Sequence, residues 1–281
     1  MTAIETIHAG VDWLSLTMKP DDPYAPHWRD KGYAALEEIS KEGYEIKTRA
    51  MLGYYGYCAG NNFVGARDDG SFCQFTGPNG DKYYRDMYYP RASVPRIDLQ
   101  VTVKYDEMPL DRGKNALAGA LSANEYIPSA RRRKVTHITN SDGGETVYIG
   151  APTSDQRGRI YNKEKQSEDP IYARSWRYEV TFRGDKAERI CTHLYLDDEG
   201  RRSAVAAIVG DWFNIRGVRG DWIYDSNLSP LPLVTSIPPD FKRTLDWLEK
   251  GVRPALYKLA RAGYTDVALE ALGVPYLADL P

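Results

Sequence analysis

Arg96-Ile97-Asp98-Leu99-Gln100-Val101-Thr102-Val103-Lys104-Tyr105 is the most regular stretch of the chain. Ile97, Leu99, Val101, Val103 and Tyr105 alternate with Arg96, Asp98, Gln100, Thr102 and Lys104. A period of two is that of a strand with one apolar and one polar face. The alternation returns over 176–183, where Trp176, Tyr178, Val180 and Phe182 oppose Arg177, Glu179, Thr181 and Arg183. A third line, Arg159-Ile160-Tyr161-Asn162-Lys163, sets Arg159, Tyr161 and Lys163 against Ile160. Placed in one sheet, the three strands turn their apolar faces into a core and gather Asp98, Tyr161 and Glu179 on the polar side.

Outward from these strands the chain alternates between sheet and helix signals. Residues 11–18 read as a first strand, with Leu14, Leu16 and Met18 on one face and Asp12 beside the polar set. From His27 to Lys41 the apolar residues Tyr33, Leu36 and Ile39 recur at helical spacing, and Gly43 stops the helix. Residues 51–89 are rich in tyrosine, phenylalanine and glycine; Asp69-Gly70 and Asn79-Gly80 read as hairpin turns in a meander. The aromatics there either stack on unpaired bases or pack the back of the sheet. A short helix is expected over 111–124, a basic loop from Ser129, a turn at Asp142-Gly143-Gly144, and two helices between Gly184 and Trp212, interrupted near Asp197-Asp198-Glu199-Gly200. Pro230, Pro232, Pro238 and Pro239 mark 227–240 as a linker between a core of residues 1–226 and a helical segment over 241–281. The fold class is α+β: a largely antiparallel twisted central sheet flanked by helices, with a small C-terminal helical appendage.

Bulk properties narrow the function classes. With 281 residues, 42% of them hydrophobic, the chain can bury a sizeable core without staples. A net charge of −2 excludes a protein that coats nucleic acid by charge alone, yet residues 131–183 hold 11 Lys/Arg against 7 Asp/Glu. Arg131, Arg132, Arg133 and Lys134 are the densest part of that local patch, which is what phosphate binding requires. Three widely spaced cysteines fit a reducing compartment, and the sequence has no CxxC pair, apolar leader or membrane span. A cytoplasmic location is expected.

The polar constellation suggests a chemistry. A phenol has a reference pKa of about 10, so Tyr161 needs cations, a metal or a base to act as a nucleophile. Asp98 and Glu179 are hard oxygen donors suited to Mg²⁺ or Mn²⁺, while arginines and lysines clamp phosphates. A tyrosine nuclease is one reading. A strand-binding protein without chemistry is another, and replacing Tyr161 by Phe separates them. A tyrosine recombinase is disfavoured, because none of the four histidines has an arginine three positions on.

Residues 146–166, containing Tyr148-Ile149-Gly150, Ser154 and Arg159-Ile160-Tyr161-Asn162-Lys163, resemble the hallmark line of the Rep_trans family, rolling-circle replication initiators together with related relaxases of mobile elements. Asp12-Trp13-Leu14-Ser15-Leu16-Thr17, Arg96-Ile97-Asp98-Leu99, Arg177-Tyr178-Glu179 with Arg183, and residues 245–254 follow in the family's order, so the similarity covers nearly the whole chain. Two departures stand out. Ala151 replaces the family's serine, and Thr102-Val103 replaces an acidic residue, which keeps Asp12 in reserve as a metal ligand. The resemblance implies that Tyr161 attacks the scissile phosphate, leaving a 5′-phosphotyrosyl enzyme and a free 3′ hydroxyl, and later rejoins strands. It implies Asp98 and Glu179 as ligands of Mg²⁺ or Mn²⁺, and Arg159 and Lys163 as helpers at the phosphate. Arg131, Arg132, Arg133, Lys134, Arg157, Arg177 and Arg183 are the expected DNA contacts. Origin DNA, a host helicase, a DNA polymerase and a second copy of the chain are the implied partners.

Overall fold

The computed structural model describes residues 4–89, 91–105, 135–194 and 198–214. The chain divides into two compact units, Met1–Leu231 and Pro232–Pro281, and every described residue lies in the first. The expected helix over 111–124, the basic residues Arg131, Arg132, Arg133 and Lys134, the linker over 227–240 and the helical segment over 241–281 lie outside the described residues.

The three diagnostic strands sit together in the middle of a ten-stranded sheet. In chain order the strands are β1 (Ile4–Met18), β2 (Ile46–Met51), β3 (Tyr54–Ala59), β4 (Asn62–Arg67), β5 (Gly70–Thr76), β6 (Ser93–Tyr105), β7 (Val135–Thr139), β8 (Glu145–Ile149), β9 (Gln156–Asn162) and β10 (Ser175–Arg183). Their spatial order is β2-β3-β4-β5-β1-β6-β10-β9-β8-β7. Every pairing is antiparallel. The α+β class and the antiparallel sheet therefore follow from the alternation seen in the sequence.

Helices pack on the apolar face and along the open edge of β1. They are α1 (Ala25–Lys41), α2 (Pro78–Lys82), α3 (Tyr84–Met87), α4 (Asp185–His193) and α5 (Asp198–Asn214), with a 3₁₀ turn at Pro170–Tyr172. On α1, Trp28, Gly32, Ala35, Leu36 and Ile39 form the buried stripe, and the Trp28 indole donates to the Met87 carbonyl at 2.7 Å. A Cβ on Gly32 would lie 3.0 Å from Val64 and 3.2 Å from the Cys73 sulfur, so this helix lies tight on the sheet. Helix α4 lies against β6 and β10, and α5 against β1, β6 and β10. There Ile97, Leu99, Val101, Val103, Ile160, Trp176, Tyr178, Val180 and Phe182 are all buried. Each such side chain contributes about 1.5–3 kcal/mol by leaving water. Gly158 is where α5 comes closest: an added Cβ would stand 2.2 Å from the Trp212 ring. None of the helices among the described residues is long and apolar enough to cross a membrane.

One local expectation fails. Asn79-Gly80 is not a hairpin turn but part of α2, because Gly77 (φ 60°) turns the chain and Pro78 is preset for a first helical residue. Gly80 then packs against the β1 backbone, where a Cβ would meet the Val11 carbonyl oxygen at 2.7 Å. The aromatic region divides between packing into the core and facing solvent. Tyr54, Phe63 and Phe72 make a buried cluster with Cys58, while Tyr55 and Tyr57 are exposed.

Candidate active site

Cross-strand register builds the site in rows. Directly opposed residues on adjacent strands point to the same face. One row runs Tyr161 (β9), Arg177 (β10), Thr102 (β6), His8 (β1); the next runs Arg159, Glu179, Gln100, Gly10; a third holds Arg157, Thr181, Asp98 and Trp13. The polar side of the three diagnostic strands thus brings Tyr161, Glu179 and Asp98 onto one face, with Arg157, Arg159 and Arg177 among them. Lys163 lies just past the end of β9, with its amine 5.0 Å from the Tyr172 ring centre. Arg183 stands one row beyond Asp98, opposite Arg96, and donates to the Ser154 carbonyl at 2.7 Å.

Asp12 reaches the same face by a different device. The register of β1 on β6 shifts between Val11 and Trp13, which makes Asp12 the extra residue of a bulge. Bulges re-aim side chains in this way. Its carboxylate accepts from Arg177 at 3.3 Å, and the Arg177 Nε–H donates to Thr102 Oγ1 at 2.9 Å. The Thr102 hydroxyl donates in turn to Gln100 Oε1, and the Gln100 amide meets His8 Nδ1 at 2.5 Å. Because that amide nitrogen is a donor, His8 Nδ1 accepts, which leaves Nε2 as the ring's donor. Burial lowers the His8 pKa further, with the nearby Asp81 opposing it.

Charged groups here are buried, so each must be paired. Arg159 Nη2 donates to Glu179 Oε2 at 2.6 Å, and its guanidinium lies 4.9 Å from the Tyr161 ring centre. Arg96 donates to Asp98 through Nε at 2.8 Å and also through Nη2, while stacking on Trp13. Burial pushes the Glu179 carboxyl up to about 7; Arg159 opposes this, and Asp12 and Asp98 add to it by repulsion. Burial also raises the Tyr161 phenol above its usual range, with Glu179 reinforcing it and Arg177 and Arg159 acting the other way. Lys163 is lowered, first by burial and then by Arg177. In contrast, the Nε atoms of Arg157 and Arg159 are buried with no hydrogen-bond partner among the described residues. Two guanidinium groups on the face of the phenol therefore keep donor capacity for an acceptor such as a phosphate oxygen.

Both expected metal ligands are gripped by arginines, and no group of three or more His, Cys, Asp or Glu among the described residues is arranged to hold an ion. Their chemistry nevertheless fits a hard divalent cation. Asp98 and Glu179 occupy neighbouring strands one row apart, and the repulsion of Glu179 by Asp12 and Asp98 is what a cation would relieve. The departure at Thr102 also acquires a role, since its hydroxyl positions Arg177.

Sequence reasoning missed Arg96, His8 and the ladder through Gln100. Arg96 was legible, because it lies two residues before Asp98 on the same strand face. His8 and Gln100 meet only because β1 lies beside β6, an order that the spacing of residues does not contain.

Residues 92–272 match the Rep_trans family, described as replication initiation factor, and this is more than half of the chain. Among solved structures the chain is similar to the rolling circle replication initiator protein from Geobacillus stearothermophilus. The identity is 20% and the TM-score 0.51, covering 80% of this chain and 90% of that one, a likeness of fold. A putative C-terminal regulatory domain of aspartate kinase from Porphyromonas gingivalis W83 aligns with 70% of this chain and 99% of its own at 10% identity, and its TM-score of 0.18 carries no argument. No curated protein matches the chain.

Proposed function

The chain belongs to the Rep_trans family of replication initiation factors, and from that premise we propose that it starts rolling-circle replication by nicking one strand of an origin with Tyr161. The observation that carries this reading is the cross-strand row: a buried phenol beside Arg177, flanked by Arg159, on the face that also holds Asp98 and Glu179. Arg157 and Arg159 support it with their unpartnered Nε donors, which suit the oxygens of a bound phosphodiester.

In the reaction the Tyr161 oxygen bonds to the scissile phosphorus, the bond from phosphorus to O3′ breaks, and its electron pair leaves on O3′. The phenol proton is released and the 3′ oxygen takes one up, giving a 5′-phosphotyrosyl enzyme and a primer hydroxyl. One phosphoester replaces another, so the reverse reaction rejoins strands without ATP. With its pKa raised, the resting phenol keeps its proton until substrate binds, and Arg177 and Arg159 favour the charge that develops on attack. Asp98 and Glu179 would hold Mg²⁺ or Mn²⁺, whose contribution is to polarise a non-bridging phosphoryl oxygen. Lys163 and Arg183 hold flanking phosphates, and the basic residues 131–134 extend the DNA contact. A helicase and a polymerase act on the exposed 3′ end, and a second copy of the chain is the expected oligomeric partner.

The test is nicking of a supercoiled plasmid that carries the DNA flanking the chain's own coding sequence, in Mn²⁺. Wild type converts it to open circles, and Tyr161→Phe binds the DNA equally well but leaves it supercoiled. Nicking by the Phe variant at the wild-type rate overturns the assignment.

A further inference from the structure

On the β1 side of the site, beyond His8, lies a cavity of about 590 Å³ walled by α2, α3 and the first turn of α5. Among the described residues, Lys82, Arg85, Arg201 and Arg202 line it with two acids, Asp81 and Asp86, and Lys82 also pairs with Glu42 of α1 at 3.3 Å. Asp81 is already engaged: its carboxylate accepts from the Val11 backbone N–H at 3.2 Å and from Arg201 Nε at 3.2 Å. Gly10 makes the junction with the sheet possible, since an added Cβ would stand 3.0 Å from both the Asp81 Cγ and the His8 ring. The cavity is thus net positive, concave and drawn from four elements, unlike a solvated helix face. His8 belongs both to its wall and to the row that contains Tyr161.

We propose that this cavity is a phosphate-binding subsite for the DNA strand whose scissile phosphate sits at Tyr161. The inference rests on the nicking function proposed above and adds where the strand runs: across the sheet from β9 towards β1. His8 is three strand spacings from Tyr161, about 14 Å at about 4.8 Å per strand. A stacked strand advances about 3.4 Å per nucleotide, so the subsite takes a phosphate about four nucleotides from the nick. His8 Nε2–H and the arginine fork geometry supply donors suited to its oxygens. The hydrogen-bonded ladder from His8 through Gln100 and Thr102 to Arg177 ties the subsite to the residue beside the phenol.

Arg85 and Arg202 are exposed, so replacing both by Gln leaves the fold in place. The full chain is titrated by fluorescence anisotropy against a mixed-sequence 20-nucleotide single strand over a range of NaCl. Each lost phosphate contact lowers the slope of log K against log salt by about 0.7. The double variant R85Q/R202Q is expected to lower the slope by about 0.7 to 1.4, whereas K31Q/K41Q, which removes two exposed charges of α1 that do not line the cavity, leaves it within 0.2 of wild type, a margin of about a quarter of one contact. Equal slopes for all three proteins overturn the subsite. So does tight binding of inorganic pyrophosphate in the cavity that the strand does not displace, because the site would then serve a free anion. The assay needs no chemistry, so an unchanged slope with normal nicking sinks the subsite alone, while a lowered slope without nicking supports the subsite and sinks the reaction.

Discussion

Replacing Glu179 by Gln tests the electrostatics of the polar face. Glu179 is 2% exposed, and its carboxyl is raised from 4.5 to about 7, first by burial and against the pull of Arg159. A carboxyl with a raised folded-state pKa binds more protons folded than unfolded between those two values, so stability falls as pH climbs through the window and levels off above 7. At about 1.4 kcal/mol per pKa unit the loss is about 3 kcal/mol between pH 4.5 and pH 8. Gln cannot ionise and lacks this dependence. Urea unfolding of both proteins, in buffers with a chelator at pH 4.5, 5.5, 6.5 and 8, isolates the effect. The stability of the Gln variant minus that of wild type should grow by about 3 kcal/mol across the series. Whatever constant offset the lost Arg159 hydrogen bond introduces cancels in the difference. A difference that stays flat or shrinks with pH refutes the argument, for Glu179 would then be a solvated acid, not part of a walled site.

Two further outcomes follow from the geometry. Gly158→Ala forces a methyl group into the Trp212 ring at 2.2 Å and should cost about 1–3 kcal/mol in urea unfolding; in a Trp212→Leu background the same change should cost markedly less. Mn²⁺ at a hundred times its pH 8 dissociation constant should stabilise the protein by about 2.7 kcal/mol at pH 8, and the same concentration should raise Tm less at pH 5.5, because Glu179 must be ionised to bind it; Asp98→Asn should abolish most of the rise at pH 8.

The parts of the fold that the sequence discloses are those where one face is apolar throughout. Strands β6 and β10 alternate strictly because α4 and α5 cover one side of them, so their limits and the common face of Asp98, Tyr161 and Glu179 are legible from residue type. The β2–β3 ribbon is opaque for the opposite reason: nearly all of β2 is exposed, and tyrosine stands on both faces of β3, buried at 54 and exposed at 55, so residue type does not mark the period. Asn79-Gly80 misleads because its dipeptide suits a type I′ turn as well as it suits a short helix opened by Pro78. The site shows the same division. Residues contributed by one strand, such as the Arg96–Asp98 pair, are readable along the chain, but Arg177 bridging Thr102 and Asp12 needs strand order and a bulge, which arise from tertiary packing.

Mass spectrometry of the full chain is the most direct test of the central claim. The protein is incubated with a single-stranded oligonucleotide spanning the mapped nick in Mn²⁺, digested and searched for a nucleotide adduct. The account predicts the adduct on the peptide containing Tyr161, and its absence from Tyr161→Phe protein. An adduct carried by any other tyrosine, with Tyr161 unmodified, contradicts it.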